Sequence, residues 1–222
     1  MWTALLTSIL WIHVGLGFLA LFAGPAAMYT RKGGTAHRRW GWVFAVSMGV
    51  VVVTAVPLAL ESDNVFLLFV SGFSGYFVWT GVRALGHKPG STGPTWPDGL
   101  GTGSMLLVGI VLVGWGGWMY GESSVAPVAL AFGGIGTVLA GYDVYNLLTP
   151  PSDPRAWFFT HLSRMIGGYI AAVTAFATTS LTMLPELVRW LGPTIIGVAA
   201  IAWLIRSYRF RFARATQQNV NS

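Results

Sequence analysis

Residues 126–184 read APVALAFGGIGTVLAGYDVYNLL, then TPPSDPR, then AWFFTHLSRMIGGYIAAVTAFATTSLTML. Two long apolar runs flank a turn that holds Pro150, Pro151 and Pro154. A helix needs about 20 apolar residues to cross the hydrocarbon core of a bilayer. Ala126–Leu148 and Ala156–Leu184 both reach that length, and a proline-rich connection ends one helix before the next begins. The pair therefore predicts two antiparallel, neighbouring membrane helices. Working outward, Leu5–Gly24, Trp40–Leu60, Val65–Leu85, Gly101–Tyr120 and Leu187–Ile205 meet the same criterion. The expectation is an all-α bundle of seven transmembrane helices.

Composition agrees. The chain has 222 residues, 54% hydrophobic and 9% charged. A soluble domain carries about 25% charged residues, so a lipid bilayer is the expected partner over much of the surface, and nucleic acid is not. The absence of cysteine excludes disulfides, thiolate metal sites, iron–sulfur clusters and covalent c-type haem. The first segment lacks a positive leader region, and its apolar run is longer than a secretory signal's, so it reads as a retained helix.

Lys and Arg set the orientation. Arg31, Lys32, Arg38, Arg39, Arg83, Lys88, Arg155, Arg206, Arg209, Arg211 and Arg214 fall in alternate connections or the tail. The opposite connections hold Glu61, Asp63, Glu122 and Glu186, with Arg189 as their one cation. The cationic side should be cytoplasmic, which places the N-terminus outside and the C-terminus inside. Residues 1–212 read as one membrane domain and 213–222 as a short polar tail, frayed beyond Phe212. The connection Gly86–Leu100 reads as irregular. Small-residue stripes (Gly17, Ala20 and Gly24; Gly117 and Gly121; Gly133, Thr137 and Gly141; Gly168, Ala172 and Ala175) suit close helix packing. They would serve a homodimer or a larger membrane complex equally.

Ionisable groups within spans are costly and mark function by default. Asp143 and His161 each lie nine residues from Ser152, the centre of the 149–155 turn, so they should share a depth. Arg164 lies one turn beyond His161 on the same face. A buried pair of Asp143 with Arg164, or with His161, is expected, with Tyr142, Tyr145, Asn146 and Tyr169 as possible hydrogen-bond partners. His13 sits mid-span and His37 at the start of the second span. His87, beside Lys88, reads as solvated.

Two histidines from different helices can ligate a b-type haem, with Arg at its propionates. The candidate residues are His13, His37, His161, Arg164 and Arg38, with His13–His161 or His37–His161 as the ligand pair and Asp143 steadying His161. A divalent metal on His37, Asp143 and His161 is the other cofactor reading. It extends to an intramembrane hydrolase, although no HExxH spacing is present. Two further functions stay open: a small-solute or proton-coupled transporter, against which stands the lack of an internal repeat, and an accessory subunit of a larger complex. Retinal is excluded, because no Lys lies within a span.

The strings His13-x-Gly-x-Gly, Gly24-Pro and His37-Arg-Arg-x-Gly41, with His161-x-x-Arg-Met165 and Ala171-Ala-x-Thr-Ala-Phe176, together resemble a family of bacterial multi-pass membrane proteins of unknown function. The resemblance runs from the first span to the sixth. It implies a multi-pass bacterial membrane protein and no particular reaction, and it picks out His13, His37, Arg38, His161 and Arg164.

Overall fold

The computed structural model describes residues 2–62, 65–91 and 93–220. Asp63, assigned above to an outer connection, lies outside them. The described residues form seven α-helices: α1 (Trp2–Tyr29), α2 (Thr35–Glu61), α3 (Val65–Arg83), α4 (Trp96–Trp118), α5 (Ala126–Leu148), α6 (Ala156–Ser180) and α7 (Glu186–Val220). A short 3₁₀ turn, Ala84–His87, follows α3. By length and composition, α1, α2, α4, α5 and α7 are suited to crossing a membrane. Large side chains such as Trp11, Phe18, Phe22, Leu107 and Ile196 face outward on these helices, which in water would be an aggregation surface and in lipid is the solvated face.

Helices α3 and α6 are not among the helices that meet this criterion over the described residues. They occupy the middle: α3 packs against α2, α4 and α6, and α6 against α1, α3 and α7. A helix screened by its neighbours can carry Ser71, Ser74, Tyr76, His161, Arg164 and Thr174, because those groups meet protein instead of lipid. The interior divides into two parts that share α3. Phe73, Phe77, Met105, Leu112, Phe132 and Trp190 fill one. Ala20, Ala23, Phe44, Met48 and Val78 fill the other.

Four expectations need correction. The chain beyond Phe212 is helical, since α7 runs for 35 residues. At 1.5 Å per residue that is about 52 Å, well beyond a hydrocarbon core of about 30 Å, so its Arg-rich end can project past the apolar zone without a desolvation cost. Second, α5 and α6 are consecutive but not closely packed. Helix α5 lies on α4 and α6 on α3, and Arg164 reaches across to Asp143. Third, Gly117 faces open space, and Gly121 takes a positive φ of 91° beyond the end of α4. The close α4–α5 approach uses Gly109 and Gly133 instead, where a Cβ on Gly133 would meet the Val113 backbone nitrogen at 2.8 Å. Finally, the irregular connection is shorter than 86–100: a 3₁₀ turn runs to His87, and α4 begins at Trp96 behind a capping box in which the Thr95 amide donates to Asp98 Oδ2 at 2.7 Å.

Candidate functional site

The turn between α1 and α2 brings His37 back to the end of α1. The last four carbonyls of a helix lack intrahelical partners. His37 Nδ1 lies 2.9 Å from one of them, the Ala27 oxygen. Lys32 Nζ donates to the Met28 oxygen at 2.6 Å. The same device recurs on the facing helices. His161 Nδ1, on α6, lies 2.8 Å from the carbonyl of Gly81 in the last turn of α3. Gly81 permits this approach, because a Cβ there would lie 2.7 Å from Met165 Sδ and 3.2 Å from Arg164 Cβ.

A carbonyl oxygen can only accept, so Nδ1 carries the proton in both rings and the Nε2 lone pair of each neutral imidazole is free. Neither Nε2 has a hydrogen-bond partner among the described residues. The ring centres are 6.4 Å apart and the planes cross at 78°. Both rings line a cavity of about 400 Å³ that is walled by apolar side chains, among them Phe44, Trp42, Phe158, Met165 and Tyr169. Lys32, Arg38 and Lys88 complete its lining. A backbone carbonyl on Nδ1 fixes the tautomer and the ring orientation, as it also does for metal-ligating histidines.

The remaining candidates lie elsewhere. His13 precedes Ala27 by fourteen residues on α1, about 21 Å along the axis, so it cannot share a ligand with His37. Tyr169 places it against His161 as well. Tyr169 packs on Gly24 and its hydroxyl reaches the Leu21 carbonyl at 3.5 Å, which sets His13 eight residues to one side of that level and His161 eight to the other. His13 instead meets Thr54 Oγ1 at 3.0 Å.

Asp143 does not steady His161. Its Oδ1 accepts from Arg164 Nη2 at 2.7 Å, and its Oδ2 accepts the Tyr76 hydroxyl. The expected Asp143–Arg164 pair is thus present, with Tyr76 as its third member in place of Tyr142 and Tyr145, which are exposed. Arg164 is only 4% exposed. Its guanidinium lies 5.0 Å from the Tyr76 ring centre and is absent from the wall of the histidine cavity. The metal set of His37, Asp143 and His161 does not converge, and no group of three such donors occurs among the described residues.

His87 is not a free loop residue. Its Nε2 lies 3.3 Å from Asp98 Oδ1, which Arg83 Nε also reaches at 2.9 Å. A second, more polar cavity of about 400 Å³ runs from this cluster to Asp143. Lys88 and Trp157 border both cavities, with the Lys88 ammonium 4.9 Å from a Trp157 ring centre. Sequence reasoning overlooked Tyr76, Gly81, Asp98, Lys32 and Lys88. Tyr76 and Asp98 were detectable as polar groups within or beside apolar runs. The roles of Gly81 and Lys32 rest on backbone carbonyls, which carry no sequence signal. No family model matches the chain, and no curated protein or solved structure matches it.

Proposed function

We propose that the chain is a seven-span membrane protein in which His37 and His161 would hold one b-type haem, near the cytoplasmic face of a bacterial inner membrane, and that the group would supply one-electron transfer there. One observation supports the reading: two imidazoles, each fixed through Nδ1 to a helix-end carbonyl, line one largely apolar cavity with ring centres 6.4 Å apart. A metal–imidazole bond is about 2.0–2.1 Å, and a ring nitrogen lies about 1.1 Å from its ring centre. An ion between two opposed imidazoles therefore sets the centres about 6.3 Å apart. Two protein donors are too few for a bare divalent ion but enough for haem, which brings four nitrogens of its own. If both histidines held the group, no position would remain for a substrate, which would favour electron transfer over substrate oxidation.

The arrangement of charge supports the topology. The chain ends and connections nearest the cavity carry eleven of the thirteen Lys and Arg residues, as the cytoplasmic side should. Helices α3 and α6 complete the seven spans as the screened pair at the centre.

Reduced-minus-oxidised visible spectra of the purified protein, produced with ample haem, test the reading. Wild type, His13→Ala and His87→Ala should show a Soret shift and sharp α and β bands on dithionite. His37→Ala and His161→Ala should lose the sharp bands. Unchanged spectra in the last two variants, or a featureless wild type, would sink the proposal.

A further inference from the structure

The histidine cavity has an unbalanced lining. Lys32, Arg38 and Lys88 border it, and no Asp or Glu does. Among the described residues, none of the three ammonium or guanidinium groups forms an ion pair with a carboxylate; the ion pairs found there belong to Arg83 and Arg164. The Lys32 ammonium is half-buried, donates only to the Met28 and Ala27 carbonyls, and is held below the ordinary lysine range by desolvation. Lys88 rests on the Trp157 ring. Lys32 and Arg38 come from the α1–α2 turn and the start of α2, whereas Lys88 comes from the α3–α4 connection. The cations thus approach from two separate segments. With three cations and no carboxylate in that lining, an anionic group placed in the cavity meets opposite charge from both segments.

We propose that Lys32, Arg38 and Lys88 form an anion clamp that recognises the acidic end of an amphipathic ligand. On the haem reading, the clamp fixes the propionates toward the cytoplasmic face and so decides which way round the porphyrin enters. This inference rests on the haem reading only for the identity of the ligand. The complementarity itself requires an apolar body bearing one or two carboxylates.

The test is equilibrium titration of the detergent-solubilised full chain, prepared without haem, with three probes: haemin, haemin dimethyl ester, whose carboxylates are masked, and a fluorescent long-chain fatty acid. Wild type should prefer haemin over the ester by roughly tenfold or more, the size of two modest ion pairs. The preference should shrink toward unity in a Lys32→Gln/Lys88→Gln variant that still shows the bis-imidazole spectrum. Equal affinity for haemin and its ester, or a preference that the variant keeps, overturns the clamp. Fatty-acid binding that the variant weakens, with no haemin spectrum in wild type, supports the clamp and overturns the haem reading. Circular dichroism of the double variant separates loss of the clamp from loss of the fold.

Discussion

Asp143 joins three helices through side chains alone. Its carboxylate takes Arg164 of α6 and Tyr76 of α3 while sitting on α5. Replacing it with Leu leaves Arg164, 4% exposed, facing the Leu139 carbonyl at 3.5 Å with Nη1 already unpartnered. In soluble proteins, removing one member of a buried ion pair costs about 3–5 kcal/mol. Hydrogen bonds in membrane bundles measure less, about 0.6 kcal/mol on average. An uncompensated guanidinium between these limits should cost about 2–4 kcal/mol. The double variant Asp143→Leu/Arg164→Met removes the stranded charge and should recover at least half of that loss. Reversible SDS unfolding in mixed micelles, read by tryptophan fluorescence, gives both values. A single variant within about 0.5 kcal/mol of wild type, or a double variant no better than Asp143→Leu alone, would refute the argument.

Other consequences are open to direct measurement. Gly133→Ala should destabilise the bundle by about 1–3 kcal/mol, because its Cβ would meet Val113 backbone and not a movable side chain; Gly117→Ala, facing open space, should be neutral in the same assay. Haemin affinity should fall as pH rises through the Lys32 pKa, because the protonated ammonium attracts the propionates and the neutral amine does not. Desolvation lowers that pKa, so the fall should begin below the pH at which an ordinary lysine titrates. His37, Arg38, His161 and Lys88 line the same cavity, and a Lys32→Gln variant isolates the Lys32 contribution. For topology, single cysteines introduced into this cysteine-free chain at Ser91 or Ser152 should resist a membrane-impermeant maleimide in intact cells, whereas one at Ser123 should react.

The parts of this account that were legible in the sequence share a cause. Helix α5 spans Ala126–Leu148 as read, because Pro127 starts it and the proline-rich turn ends it. The Asp143–Arg164 pair was legible because a short turn fixes relative depth. Packing was not legible from the same turn, since α3 and not α5 lies against α6. Helix ends failed where a terminus projects beyond the apolar zone. Arg209 stacks 5.4 Å from the Phe159 ring centre and Arg155 lies 4.6 Å from that of Phe212, so the α7 extension has aromatic partners that a hydropathy window cannot register. His37 and His161, one of the two ligand pairs considered, came together, with ring centres 6.4 Å apart. His13 failed because α1 extends to Tyr29, which places its C-terminal end well past Gly24 and leaves His13 far from the site.

The most direct test of the haem assignment is the low-temperature electron paramagnetic resonance spectrum of the ferric protein, with His37→Ala and His161→Ala beside it. The account predicts a low-spin signal from two imidazole ligands in wild type and conversion to high spin in either variant. A high-spin wild type, or a low-spin signal that survives both substitutions, would contradict it.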